Sequence, residues 1–276
     1  MLIGGAGHMD LSRKKLWVFD VDNTLILDVE HPTPFKDALT LWSSLEEKGC
    51  TLAILTNVGR LSSRQVHQAV ERAGFHLPVE RVYTAGAAAA AYIHNRSPGA
   101  RCFVIGEGGA QEDFIARGLD VANNPPIDFV AVAADRGMTF DELNFATKMV
   151  KQGAGLVCVS GSRDYSGKYL GQDDVYIGER SIVAAIEHAT GVVAVTVGKP
   201  LPEIVTETVK TIGFKLTNAV IIGDNPNSDI AGGNAAGVTT ILVKRDPHNI
   251  VAFESGGLDT KPTLTVKSLE DVIDLL

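Results

Sequence analysis

The stretch Leu16-Trp17-Val18-Phe19-Asp20-Val21-Asp22-Asn23-Thr24-Leu25-Ile26 decides how the rest of the chain is read. It begins as an apolar, β-favouring run, the pattern of a strand buried on both faces of a parallel sheet. The run stops at two carboxylates one residue apart, followed by a polar Asn-Thr turn. Loops leaving the carboxyl ends of strands form the ligand crevice of an open parallel sheet, so Asp20 and Asp22 fall where ligands bind. Carboxylates this close repel one another and resist desolvation. A bound Mg²⁺ is the simplest compensation, although Asp also closes strands merely as a turn former.

At 276 residues the chain is long enough for one large core or two modest ones. Its 45% apolar and 21% charged residues are those of an ordinary globular protein and exclude a disordered one. Acidic side chains outnumber basic ones, 33 to 25, and there is no basic block, which argues against a nucleic-acid partner. Cys50, Cys102 and Cys158 stand far apart and read as buried thiols, neither a disulfide framework nor a metal knot. No apolar run reaches the ~18 residues of a membrane span, and the N-terminus lacks the apolar core of a signal peptide. The expectation is a soluble cytoplasmic protein without a membrane partner. Met1 to Met9 reads as an expression remnant or a native flexible lead and is set aside.

Outward from the first strand, Thr33-Pro34 predicts a helix start, with Leu39, Leu41, Trp42 and Leu45 as its apolar face and Gly49 as its end. Thr51 to Asn57 is a second buried strand, and Ser62 or Ser63 caps a helix through Ala73. Val82 to Thr84 is a short strand before an alanine-rich helix. Strands at Cys102 to Gly106, Phe129 to Ala134 and Leu156 to Ser160 follow, with helices around 113–118, 141–152 and 179–190. Val193 to Gly198 and Ala219 to Asp224 are strands flanking a helix over Pro202 to Ile212. Late strands lie at 239–243 and 263–266, and Ser268 caps a terminal helix. The outer segments alternate strand and helix, which predicts a three-layer, Rossmann-like α/β core with a parallel sheet. Residues 10–95 and 194–276 form that core, and 96–193 a smaller inserted α/β domain.

Four apolar runs end in Asp20/Asp22, Thr56/Asn57, Lys199 and Asp224/Asp229. Together these residue types make a metal-plus-phosphate site. Asp20 is placed as a nucleophile that can form an aspartyl phosphate, and Asp22 as the acid and base serving the leaving oxygen and then water. Asp20 and Asp224, with a backbone carbonyl near Asp22, give Mg²⁺ the hard oxygen ligands it prefers. Lys199, Thr56 and the turn at Asn57 hold phosphate oxygens. Asp229 orients Lys199 or a metal-bound water, with Asn225 beside it.

Phe19-Asp-Val-Asp-Asn-Thr-Leu25, Ile54-Leu-Thr56-Asn57, Gly198-Lys199-Pro200 and Ile222-Gly-Asp224-Asn-Pro-Asn-Ser-Asp229 resemble, in order, the four motifs of the haloacid dehalogenase superfamily. The resemblance implies a Rossmann-like core, Mg²⁺ dependence and the roles just given. A second aspartate at position 22 selects phosphatase chemistry, since the dehalogenases lack it. Only 36 positions separate Asp20 from Thr56, whereas 143 separate Thr56 from Lys199. An insertion at that second place resembles the type IIA cap of the NagD-like and p-nitrophenyl phosphatase group. Asn23, where that group usually has glycine, and the Val-Gly-Arg-Leu loop after Asn57 depart from the pattern.

The implied substrate is a small phosphorylated metabolite. Arg163, Asp164, Tyr169 and Tyr176 are the cap residues that would meet its leaving group, unless they form a plain solvated loop. Related caps often pair, so the resemblance allows a homodimer through the cap. A phosphotransferase or mutase using the same intermediate, and a non-catalytic phosphometabolite-binding module, are the alternatives. Two glycine-rich stretches are decoys. Gly161 to Lys168 is one residue too long for a P-loop, and Gly106-Glu-Gly-Gly109 lacks the dinucleotide spacing and reads as a turn.

Overall fold

The computed structural model of the chain describes residues 10–133, 135–169, 172–245 and 257–276, with backbone alone at 165–169 and 172–175. In chain order its elements begin with β1 (Leu16–Phe19), α1 (Lys36–Glu47), β2 (Thr51–Thr56), α2 (Ser63–Arg72), β3 (Val82–Thr84) and α3 (Ala85–Arg96). Next come β4 (Arg101–Ile105), α4 (Gly109–Ala116), β5 (Asp120–Val121), β6 (Phe129–Val132), α5 (Phe140–Lys151) and β7 (Gly155–Cys158). A hairpin of β8 (Asp164–Tyr169) and β9 (Gln172–Ile177) precedes α6 (Glu179–Thr190) and β10 (Val195–Thr196). The chain continues through α7 (Pro202–Ile212), β11 (Ala219–Gly223), α8 (Ala231–Ala236), β12 (Thr239–Val243) and β13 (Leu264–Val266).

These elements pack as two compact units. The first takes the described residues of Met1–Thr56, Val66–Tyr83 and Lys199–Leu276. Its sheet runs β13-β12-β11-β1-β2-β3, and β1 pairs in parallel with both β2 and β11. From β1 the chain steps one way to β2 and β3, then the other way from β11 to β12 and β13. The order therefore reverses between β1 and β11, the place where ligands bind in open α/β sheets. Register sets Phe19 beside Ile222, so the residues after both strands leave the sheet together. Beneath them Phe19, Trp42 and Phe75 stack in sequence, centroids 5.3 and 5.2 Å apart, tying β1 to α1.

The second unit comprises Asn57–Gln65 and Thr84–Gly198, so it takes in α3 and the loop after Thr56, a wider span than 96–193. Its five strands, in the order β10-β7-β6-β4-β5, are all parallel. Alternation along β4 sends Cys102 and Val104 to a cluster with Ala89, Ile93 and Phe114, and Phe103 and Ile105 to one with Met149, Val150 and Ile182. Helices cover both faces, as a parallel sheet requires.

Several boundaries differ from expectation. α1 starts at Lys36, because Thr33 and Pro34 are already used by the segment after Asp22: Leu27 N–H donates to Thr33 O at 2.9 Å, and Ile26 pairs with Pro34. Ala38 is buried on α1 where Leu39 was expected, and Leu39 is only half-buried. The strand over 193–198 shrinks to Val195–Thr196 at a sheet edge, with Val193 82% exposed. The loop after Ser160 is the β8–β9 hairpin. The terminal helix is a 3₁₀ segment, Leu269–Leu275, with Ser268 accepting from Glu270 N–H. Met1 to Met9 lie outside the described residues. Among the described residues no helix is long and apolar enough to cross a membrane.

Candidate active site

The site is assembled at the carboxyl edge of the first unit's sheet. Asp20 directly follows β1, and its N–H donates to Ile222 O of β11 at 2.9 Å, extending the ladder one residue past the strand. The carboxylate is thereby fixed at the sheet reversal. Beyond it the chain curls tightly, with Thr24, Leu25 and Ile26 N–H all directed at Val21 O. Asn23 takes a left-handed φ of 55°, which Asn tolerates better than most side chains and which explains why a glycine is dispensable here. Asp22 is half-buried, and its Oδ1 accepts from Val29 N–H at 2.9 Å.

Lys199 opens the segment before α7 and is 1% exposed. Its ammonium donates to Asp20 Oδ1 at 2.8 Å, Asp229 Oδ1 at 2.6 Å and Leu55 O at 2.7 Å. Burial alone would lower the Lys199 pKa, but Asp20 and Asp229 outweigh it and hold the group firmly protonated.

Asp224 leaves β11 into a π-helical turn, Pro226–Ile230, which brings Asp229 back over the strand end. Asn225 N–H donates to Asp229 Oδ2 at 3.1 Å, while the Asn225 side chain accepts from Asn227 N–H and is used in the turn itself. Gly223 is required here: a Cβ would overlap the Asp229 carboxylate.

Carboxylate oxygens of Asp20, Asp224 and Asp229 lie within 4.8 Å of one another. Burial first, and the like charges of its neighbours second, push Asp224 up to about 8. Burial likewise pushes Asp20 up to about 7; Lys199 pulls it down, while Asp229 and Asp22 push it up. One lysine therefore does not balance three acids, and an all-oxygen set with excess negative charge suits a hard divalent cation such as Mg²⁺. Asp229, expected only to orient a neighbour, belongs to this acidic cluster and pairs with Lys199, whereas the Asp22 carboxylate is turned to Val29.

Thr56 ends β2 and is 2% exposed. Asn57 belongs to the second unit, where a Cβ on Gly198 would come within 2.7 Å of its Oδ1 and 2.8 Å of Val159 O. The loop it begins is anchored there: Arg60 O accepts from Gly109 N–H at 3.2 Å, and Asp113 accepts from Ser63 N–H at 3.1 Å and from Thr84 Oγ1 at 3.0 Å. Arg163 and Asp164 are exposed at the start of the hairpin, and Arg163 O accepts from Gly178 N–H and Ser181 Oγ. Tyr176 is half-buried opposite Tyr165 in the register, and the Tyr169 side chain lies outside the described part. Sequence reasoning missed the Leu55 carbonyl on Lys199 and the Val29 amide on Asp22. Backbone groups leave no residue-type signal.

Comparison with known proteins places the chain among related sequences and folds. A family model described as haloacid dehalogenase-like hydrolase matches residues 17–120, and a HAD-hydrolase-like model matches residues 196–272. An acid sugar phosphatase of Staphylococcus aureus (strain USA300) is 25% identical over 263 residues, covering 95% of this chain and 98% of the relative. The solved p-nitrophenyl phosphatase from Archaeoglobus fulgidus superposes with a TM-score of 0.86 at 25% identity, over 95% of this chain and 99% of that one. A glycerol phosphate phosphatase from Mycobacterium tuberculosis, solved in complex with magnesium, superposes with a TM-score of 0.79 at 24% identity, over 95% and 78% of the two chains.

Proposed function

The chain belongs to the haloacid dehalogenase-like hydrolases, and from that premise we propose that it is a cytosolic, Mg²⁺-dependent phosphomonoester hydrolase of small phosphorylated metabolites. The observation that carries the reading is the buried Lys199 ammonium, 2.8 Å from Asp20 and 2.6 Å from Asp229, with the Asp224 carboxylate alongside. Such a group draws the Asp20 pKa down against its burial and aligns the carboxylate while the reaction consumes its charge.

In the first step an Asp20 oxygen attacks phosphorus, the bond from phosphorus to the leaving oxygen breaks, and the Asp22 carboxyl gives that oxygen a proton. An aspartyl phosphate and a neutral alcohol result. In the second step Asp22, now a carboxylate, takes a proton from water as the water oxygen attacks phosphorus, and the acyl–phosphate bond to Asp20 breaks. Thr56, Asn57 and Lys199 hold the phosphoryl oxygens. Asp20 and Asp224, with a backbone carbonyl near Asp22, would hold Mg²⁺, which supplies neutralisation of the phosphoryl charge. The second unit serves as the cap in this reading, with Arg163, Asp164, Tyr169 and Tyr176 as the side chains that select the leaving group.

The test is phosphate release from p-nitrophenyl phosphate. Release is expected to require Mg²⁺, to stop with EDTA and to be lost in Asp20→Asn. Turnover persisting in Asp20→Asn would remove the nucleophile from the scheme.

A further inference from the structure

Arg245, two residues beyond the end of β12, is tied to the loop that carries Asp22. Its Nη1 donates to both oxygens of Asp37, at 2.8 and 2.6 Å, and its Nη2 donates to the Thr24 carbonyl at 2.9 Å. The guanidinium carbon lies 4.0 Å from the centroid of the Phe35 ring. Asp37 in turn accepts from Leu269 N–H at 2.8 Å and Ser268 Oγ at 3.2 Å. A planar guanidinium fixed on a carboxylate, a carbonyl and a ring face is a rigid strut with one allowed pose.

The segment it supports runs from β1 to α1 and is bonded chiefly to itself. Phe35 N–H donates to Leu25 O at 3.0 Å, and Leu27 N–H to Thr33 O. Asp22 sits inside this excursion, held by Val29 N–H. Thr24 and Phe35 lie near its two ends, and Arg245 touches both. The mechanism above does not use Arg245, and no residue-type pattern around position 245 marks it.

We propose that Arg245 is a positioning residue for Asp22, fixing the carboxyl where it can deliver a proton as the bond to the leaving oxygen breaks. The inference rests on the reading of Asp22 as the acid. Its consequence is selective. An alkyl leaving group departs as an alcohol only if the proton arrives, whereas p-nitrophenolate spreads its charge over the ring and scarcely needs one. Displacing Asp22 therefore penalises alkyl phosphates far more than p-nitrophenyl phosphate, while a merely structural defect lowers both alike.

The experiment compares kcat and KM on glycerol 2-phosphate and p-nitrophenyl phosphate for the wild type, Arg245→Lys, Phe35→Leu and, as a stability control, Ser268→Ala. Lysine retains the charge beside Asp37 but cannot span Asp37 and Thr24 with a planar fork. In Arg245→Lys the ratio of kcat/KM values, glycerol 2-phosphate over p-nitrophenyl phosphate, should fall about tenfold or more, mostly in kcat, part of the ~10²–10⁴-fold a positioned acid supplies. Phe35→Leu, which removes the stacked face and leaves the Asp37 pair, should lower the ratio in the same direction and keeps the test alive if Arg245→Lys does not fold. Ser268→Ala should lower the melting temperature with the ratio unchanged. Equal losses on both substrates, or wild-type ratios in both test variants, overturn the role of Arg245 alone. A wild-type chain that hydrolyses neither substrate refutes the underlying reading of the site, and this proposal with it.

Discussion

Replacing Lys199 by Met isolates the charge at the centre of the site, because the linear side chain keeps most of the packing of the lysine stem. The lost ammonium makes three bonds of 2.6–2.8 Å and is 1% exposed, so the variant leaves Asp20 and Asp229 buried without their cation. Breaking a buried pair in this way costs about 3–5 kcal/mol. At about 2–4 °C per kcal/mol for a domain of this size, the melting temperature should drop by roughly 10 °C. The loss should also depend on pH. Asp20 and Asp224 already have folded pKa values of about 7 and 8, above the ordinary 3.8. Groups raised on folding contribute stability that is present below about pH 4 and lost as pH rises through those values. Removing Lys199 adds to that repulsion, so the destabilisation should be larger at pH 8 than at pH 5, where protonation relieves it. Turnover should fall about 10²–10³-fold, the cost of one charge-stabilising donor. Thermal unfolding of metal-free protein at the two pH values and steady-state phosphate release measure both effects. A variant equally destabilised at pH 5 and pH 8, turning over at the wild-type rate, would show that Lys199 does not balance these carboxylates.

Mg²⁺ should raise the melting temperature more at pH 8 than at pH 5, because the cation competes with the protons that the raised Asp20 and Asp224 otherwise bind; a stabilisation independent of pH in a calorimetric titration would contradict the ligand assignment. Gly223→Ala should destabilise by about 1–3 kcal/mol and slow turnover, since the new methyl group must displace the Asp229 carboxylate, and denaturant unfolding with kinetics will detect it. Burial pushes Asp37 up, but bonds from Arg245, Leu269 N–H and Ser268, with the Arg245 charge, hold it below the usual carboxylate range; its contribution is therefore present above that range and lost as pH falls below it through the lowered folded value. Asp37→Asn should cost about 2 kcal/mol at pH 7 after solvent screening and less as the pH is lowered into the acid range, read from urea midpoints.

The first unit's sheet was legible because its central strands are buried on both faces and read as unbroken apolar runs, as at Ala219–Gly223, which ends one residue short of the expected Asp224. Edges were harder. Among the described residues Val195–Thr196 pairs only with β7, so the strand is set by one neighbour's register and not by the longer apolar stretch around it. The start of α1 was misplaced because Thr33-Pro34 is a good helix opening locally, and only the bond from Leu27 N–H to Thr33 O, a tertiary fact about the Asp22 loop, draws it into extended pairing. The candidate site divides the same way. Asp20, Lys199, Asp224 and Asp229 stand at or shortly after apolar runs and could be named from side-chain type. Arg245 could not, since it meets Thr24 across 221 positions through a backbone carbonyl.

Gly106-Glu107-Gly108-Gly109 shows how far local context can mislead. It follows a strand, opens helix α4 and lies where the second sheet reverses between β4 and β6, all of which a dinucleotide turn would satisfy. A phosphate needs those amides free. Here Gly108 N–H donates to Gln111 Oε1 at 2.9 Å and Gly109 N–H to Arg60 O, and a Cβ on Gly109 would overlap the Leu61 backbone. The close approach that glycine permits is therefore spent on the chain itself. The loop that begins at Asn57, a residue proposed to grip phosphate, is held against this turn within the second unit. Gly109→Ala should accordingly push that loop away and weaken phosphate binding while β1, Asp20 and the metal ligands stay in place, raising KM for p-nitrophenyl phosphate with Mg²⁺ affinity unchanged. A parallel loss of Mg²⁺ affinity would mean the loop is only part of the scaffold.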